Sequence, residues 1–285
     1  MKVGVTAASG NLGKLILQEL ISAIGADNVV GIARSPEKIS IAGIETRAGD
    51  YADAVVWPEV LQDLDTVVLV SAPGGPWDRV QMHWNVIEGG ALTGVRKMLY
   101  TSVIGNGKEA DTRYAPVAEI NRRAEFDLQN SGMQWVIPRN GLYLEFDIAH
   151  IVNADKDDGI FRNNGGEGRC GYISRNEIAF ATAKLALDEG ANGRIFNLVG
   201  DCQTQAELVA MVNEVYGTHV SYEAFSDEEC FARLEPIRGK IVANMLTGCY
   251  QCIRNGAYDV PSDFEAATGR PAKSVKQQIE EIRAG

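Results

Sequence analysis

Positive charge is in short supply in this sequence. Its 27 Lys and Arg face 38 Asp and Glu, giving a formal net charge of −11 over 285 residues with histidine neutral. A surface of that sign repels phosphates, which argues against nucleic acid or an anionic membrane as a partner. No run of 18 apolar residues occurs, so no membrane span is expected. The opening residues MKVGVT enter a strand pattern without a basic leader or a cleavage site, which points to a cytoplasmic protein. Cysteine is also sparse: Cys170, Cys202, Cys230, Cys249 and Cys252 form an odd, irregular set suited to reduced thiols. The one close pair, Cys249 and Cys252 in CYQC, has no second Cys or His pair to complete a zinc site, and no βαβ context for a redox motif. No metal is expected.

What is present is alternation. The runs KVGVT, NVVGIA, IETRA, TVVLVS, KMLYTS, QWVIPR and RIFNLV are short, β-branched and nearly continuous in apolar content, as strands covered on both faces should be. Helical patterns lie between them, the first with Leu12, Leu15, Ile16, Leu20 and Ile24 on one stripe. Alternation of this kind predicts an α/β fold, a doubly wound parallel sheet of the Rossmann type. The pattern breaks twice. Residues 153–172 are rich in Gly, Asn and Asp and read as loop with one short strand. From about residue 217 it is mixed and ends in a helix with Val275, Ile279 and Ile282 on one face. The expected division is a nucleotide-binding domain over 1–150, to which 178–215 return, and a small C-terminal substrate lobe from 151–177 and 216–285. Such a lobe would cover the carboxyl ends of the strands, where ligands bind in these sheets.

Directly behind the first strand stands TAASGNLG, residues 6–13. A G-x-x-G-x-x-G loop would place glycine at 7, 10 and 13, and the chain supplies Ala7, Gly10 and Gly13. A strand before and an amphipathic helix behind are the context such a loop needs. Amides at the helix N-terminus would face a pyrophosphate, which assigns Thr6, Ala7, Ser9, Gly10, Asn11 and Leu12 to the cofactor. Alanine fits at position 7 if the backbone keeps a negative φ there; only a left-handed turn would exclude it. At the end of the second strand, GIARSPEK carries no acid for a ribose 2′-hydroxyl. Arg34, Ser35 and Lys38 stand there instead, and a guanidinium suits a 2′-phosphate. The expected cofactor is NADP, with NADPH preferred over NADH.

These motifs, together with GDYAD, HWNVIEGGALTGVRKMLYTS, AEFDLQNSGMQWVIPRNGLY, SRNEIAFATAKLAL and IFNLVGD in their order and spacing, give the chain a resemblance along nearly its whole length. It resembles the NmrA-like family of atypical short-chain dehydrogenases, in particular the branch of type 2 quinone oxidoreductases and triphenylmethane reductases. The resemblance implies an NADPH-binding Rossmann domain with a small substrate lobe. It puts Asp50 and Tyr51 near the adenine, and Ser71, Ala72 and Pro73 along the nicotinamide ribose. Tyr100, Thr101 and Ser102 would flank the nicotinamide. Pro138 to Gly141, including Asn140, would approach it through the backbone, and Tyr143 would point to the substrate cleft.

Most short-chain dehydrogenases protonate a carbonyl with a tyrosine whose pKa is lowered by a lysine four residues later. The candidate here, Tyr114, is followed four residues later by Ala118. An acceptor that delocalises the incoming electrons, such as a quinone, needs no strong protein acid. Ser102 and Tyr143 would then donate hydrogen bonds to a developing oxyanion, with a strand-end cap and a packing residue as the plainer roles for the two. Trp77, in GGPWD after the fourth strand, would line the acceptor pocket, and His83 reads as structural. The expected function is NADPH-dependent reduction of a small conjugated molecule. The alternatives are an NADP-binding redox sensor without turnover, and a sugar or alcohol oxidoreductase or epimerase with an unusual acid. Self-association as a homodimer is left open.

Overall fold

The computed structural model describes residues 1–72 and 76–285, with Pro76 and Trp77 described as helix backbone only. The chain runs β1 (Val3–Val5), α1 (Asn11–Ile24), β2 (Val29–Ala33), β3 (Glu45–Ala48), α2 (Trp57–Val60), β4 (Thr66–Leu69) and α3 (Pro76–Thr93). Next come β5 (Lys97–Tyr100), β6 (Ser102–Val103), α4 (Ala115–Gln129) and β7 (Gln134–Asn140). All seven apolar runs read as strands are strands. They pair in parallel in the order β11-β7-β5-β4-β1-β2-β3, with β6 added beside β7 and β11 spanning Arg194–Leu198. The strand order reverses between β1 and β4, which is the place where a doubly wound sheet opens a crevice for a ligand.

Burial explains the pattern. β1, β2, β4 and β5 are buried along their whole length, whereas the edge strand β3 is largely exposed and the edge strand β11 is buried only at Phe196 and Leu198. α1 buries Leu12, Ile16, Leu17 and Leu20 against the sheet and stops where Gly25 turns to φ 82°, a conformation glycine adopts without a Cβ clash.

The remaining elements are β8 (Leu142–Tyr143), α5 (Leu144–Ala154), β9 (Ile160–Asn163), β10 (Arg169–Ile173), α6 (Arg175–Leu187), β11, β12 (Cys202–Thr204), α7 (Gln205–Tyr216) and β13 (Ser221–Ala224). The C-terminal part adds α8 (Asp227–Arg238), α9 (Lys240–Arg254), α10 (Phe264–Thr268) and α11 (Val275–Ala284). Residues 153–172, expected to hold loop with one short strand, carry β9 and most of β10. β9 pairs with β13 (Ile160 with Ser221), and β10 lies between β8 and β12. Neither partner is nearby in sequence, so local composition could not show them. A second apolar core forms around these strands from Leu144, Ile151, Tyr172, Leu208, Val212, Ile253 and Ile279. Phe264 and Ala267 of α10 pack into the sheet's own core instead.

Candidate functional site

The carboxyl ends of β1, β4, β5 and β7 meet at one side of the sheet, and the loops leaving them carry most of the residues singled out above. Thr6 extends β1 by donating its N–H to Val68 O at 3.0 Å. Ala7 then turns to φ +49°. This overturns the expectation of an ordinary negative φ: alanine occupies a left-handed turn. The cause lies in the next residues. The turn presents Ala7 O to Gly10 N–H at 2.8 Å and lays the same peptide on α1, where a Cβ on Gly13 would come within 2.3 Å of Ala7 O. Left-handed backbone costs an L-residue roughly 1–2 kcal/mol, and the closely packed turn holds Ala7 in it. Ser9, Gly10 and Asn11 are exposed and Leu12 is buried. Gly10 caps α1 without a side-chain hydrogen bond, and the first turn holds no acid. The amides are thus left to an anion, which the helix dipole also favours.

Arg34 and Lys38 follow β2, both exposed and neither in an ion pair among the described residues. Asp50 accepts Ala52 N–H at 3.0 Å. The Tyr51 hydroxyl lies 2.6 Å from Thr6 Oγ1 and donates to Val70 O at 2.7 Å, so it pins the loop after β3 to the ends of β1 and β4. Burial pushes this hydroxyl's pKa up.

At the end of β4, Ser71 N–H donates to Thr101 Oγ1 at 2.9 Å, and Ala72 N–H donates to His83 Nε2 at 2.9 Å. Pro73 and the Trp77 side chain lie outside the described residues. His83 is fully buried. Burial first, and then the charge of Arg79, push its pKa down to about 3, so it is a neutral acceptor that shapes the loop. Arg79 was not anticipated. It reaches back from the first turn of α3 and donates from Nη2 to Ser71 Oγ at 2.7 Å. The signal for it was a cation in a helix's first turn, where the dipole opposes positive charge.

Ser102 does not present a free hydroxyl. It is buried and donates to Glu125 Oε1 at 2.6 Å. Glu125 also receives Arg122 Nη1 at 2.6 Å and a two-point contact from Arg139 at 2.9 and 2.6 Å. Burial raises the Glu125 pKa, but the hydrogen bonds of Arg139 and Ser102 and the charge of Arg122 outweigh it and hold the carboxyl below its usual range. The expected oxyanion donor is therefore tied into a buried ionic cluster. Tyr114 is nine-tenths buried, edge-on to Tyr258 with ring centres 6.2 Å apart. Burial, and then Cys249, drive its hydroxyl pKa up while Arg79 lowers it. Four residues on, Ala118 packs into the second apolar core, so that position carries no ammonium to acidify the tyrosine.

Asn140, at the end of β7, is 4% exposed; its Nδ2 donates to the Tyr143 hydroxyl at 3.3 Å, and its Oδ1 has no partner among the described residues. A buried orphan acceptor at a strand's carboxyl end fits a ligand amide. Gly141 serves the packing: its N–H donates to Leu198 O at 2.9 Å, and a Cβ there would meet Gly171 O at 2.3 Å. Tyr143 is half-buried, with the Arg175 guanidinium 4.8 Å from its ring centre. Beside α1, a cavity of about 390 Å³ opens between Asn11 and Lys14 on one side and Glu145 and Arg175 on the other. An apolar cavity of about 260 Å³ lies within the lobe, lined by Phe146, Phe161, Leu234 and Tyr250 among others. Among the described residues no cluster of His, Cys, Asp and Glu could hold a metal, and no helix is long and apolar enough to cross a membrane.

Comparison with known proteins agrees with this geometry. A family model described as NAD(P)H-binding matches residues 7–189. Quinone oxidoreductase 2 of Escherichia coli (strain K12) is 27% identical, covering 98% of this chain and 98% of that protein. An NmrA-like family domain-containing oxidoreductase of Aspergillus flavus is 27% identical over 80% of this chain and 76% of its own length. Among solved structures, Citrobacter sp. triphenylmethane reductase complexed with NADP(H) superposes with a TM-score of 0.89 at 25% identity, covering 98% of this chain and 99% of that one. The NADPH complex of the Escherichia coli quinone oxidoreductase also gives 0.89 at 25% identity, with 99% of each chain covered.

Proposed function

The chain belongs to the NAD(P)H-binding family, as an NmrA-like atypical short-chain dehydrogenase/reductase with NADP as its cofactor, and from that premise we propose that this NADPH-dependent oxidoreductase reduces a small conjugated acceptor such as a quinone without a tyrosine–lysine pair. The observation that carries the reading is Ala118, buried in the second apolar core where a lysine would have to stand beside Tyr114. An acceptor that spreads the incoming electron pair over a conjugated system needs no strong acid from the protein.

The residues present fit the cofactor. The amides of Ser9, Asn11 and Leu12 would hold the pyrophosphate; Gly10, whose own N–H is taken by Ala7 O, leaves that cradle without a side chain, and Gly13 lets α1 close on the turn. Arg34 and Lys38 would take the 2′-phosphate. Asp50 and the loop pinned by Tyr51 would lie along the adenine, and Ser71, Ala72, Pro73 and Thr101 along the nicotinamide ribose. Asn140 would answer the carboxamide with its unpartnered Oδ1. When bound, NADPH supplies the hydride. Tyr143 and Trp77 are assigned to the acceptor side, where Tyr143 retains an exposed edge and a hydroxyl to donate.

A second reading, an NADP-binding regulator without turnover, is favoured by the committed hydroxyl of Ser102 and the burial of Tyr114. The deciding experiment incubates purified protein with NADPH and a panel of quinones, cationic dyes and carbonyl compounds. NADPH oxidation by quinones is the expected result. Tight NADP binding with no turnover on any acceptor would establish the regulator, and oxidation of alcohols with NADP⁺ but no quinone reduction would establish a carbonyl or sugar enzyme.

A further inference from the structure

Arg79 is half-buried, yet its charge meets no carboxylate within 4 Å among the described residues. Arg122, Arg139 and Arg175 are comparably buried and each faces one. The only side chain that Arg79 engages among the described residues is Ser71, through Nη2, and its Nε is buried without a partner. An inward-facing guanidinium with an unused N–H is costly to keep unless an anion arrives to meet it.

Its position says where that anion would be. Ser71 leaves β4 beside the end of β5, bonded to Thr101 and 3.3 Å from the Tyr100 hydroxyl. This is next to the switch in strand order, on the side where the cofactor's reactive end and the acceptor must meet. The titratable groups facing the guanidinium are His83, Tyr100 and Tyr114. His83 is neutral, and burial pushes both tyrosine hydroxyls up in pKa while the Arg79 charge lowers them. None of the three is an anion at neutral pH.

Building on the reductase reading, we propose that Arg79 is a catalytic residue that holds the negative oxygen formed on the acceptor as it is reduced. For a quinone, NADPH delivers two electrons and one hydrogen. The cofactor's C–H bond breaks, a bond from that hydrogen to the acceptor forms, and the displaced electron pair settles on a carbonyl oxygen. That oxyanion then takes one proton from water to complete the hydroquinone. Arginine cannot release a proton at neutral pH, so Arg79 acts by charge and by its N–H donors alone. The substrate class it selects is a carbonyl conjugated widely enough to carry the charge until water protonates it.

The test uses the full chain saturated with NADP⁺ and 4-nitrophenol, a redox-inert phenol whose anion is coloured. Bound to the wild type, the dye ionises about 1–3 pH units below its free value, as a cation at contact distance requires. Arg79→Gln removes the shift and lowers kcat for quinone reduction about 100-fold, the usual effect of losing one oxyanion donor, with NADPH affinity unchanged. Arg79→Lys, which restores the charge, recovers part of both. A wild type that leaves the dye's titration unmoved overturns the proposal. So does an Arg79→Gln protein with weakened NADPH binding but normal kcat at saturation, because the guanidinium would then be a cofactor clamp. A wild type that shifts the dye but reduces no quinone sinks the quinone reading and leaves Arg79 as an anion site.

Discussion

The carbonyl oxygen of Ala7 sits where a side chain on Gly13 would be, 2.3 Å from a Cβ built there. Strand end and helix start are thus in backbone contact, and Ala7 takes φ +49° to make that contact. Glycine at position 7 would remove the methyl that makes this conformation unfavourable. Ala7→Gly is expected to stabilise the protein by about 0.5–1 kcal/mol, the relief of left-handed strain less the extra backbone entropy of glycine. A melting temperature raised by a few degrees at most, with NADPH affinity equal or better, is the result to look for; a fall in Tm would contradict the strain.

Arg34 should decide between the two nicotinamide cofactors. Removing a charged hydrogen bond to the 2′-phosphate weakens binding by about 1.5–3 kcal/mol, or roughly 10- to 100-fold. Arg34→Ala is expected to lose that factor for NADPH and little for NADH. Equal losses, measured by fluorescence titration with each cofactor, would place the arginine elsewhere.

Ser102 is expected to matter for folding more than for turnover, since its hydrogen already bonds Glu125 at 2.6 Å. Ser102→Ala should lower stability by about 1–2 kcal/mol and leave kcat for the best acceptor essentially unchanged. A large drop in kcat without loss of stability would restore it as an oxyanion donor.

The cluster around Glu125 predicts a stability change with pH. Its folded pKa lies below the ordinary value of 4.5, so the stabilisation is fully present above that pH and is lost as pH falls through the lower folded value. Glu125→Gln should cost about 3 kcal/mol at neutral pH, because it leaves Arg139 half-buried without its carboxylate. It should also flatten the loss of stability on acidification. Urea midpoints of both proteins, measured at neutral pH and near pH 4, give the comparison; parallel slopes would remove Glu125 from the acid response.

Local chemistry made much of this molecule legible in the sequence. The central strands β1, β2, β4 and β5 stood out because burial on both faces demands continuous apolar runs, and the edge strands followed from the alternation with helices. The glycine-spaced loop and Arg34 stood out because each follows directly on a strand that its own residues identify. What was hidden depends on distant partners. Ser102 meets Glu125 and Arg139 only because β6 and β7 pair with Ser102 opposite Arg139, a register that no single strand reveals. Of β9 and β10 the sequence suggested one short strand, because their partners lie far along the chain. Arg79 was masked by its helix, although a cation in the first turn was a visible anomaly. The positive φ of Ala7 follows from how closely the helix approaches the turn, which the residue types alone do not determine.

The pairing of β9 with β13 joins residue 160 to residue 221, and this sets an order of assembly. Six of the seven strands in the sheet's main path have been synthesised by residue 140, before the lobe has either strand of that pair. Contacts that close such long loops form late, and domains gather from the N-terminus during synthesis. The parallel sheet, with the open crevice between β1 and β4, therefore takes shape while the strands of the second apolar core are still being made.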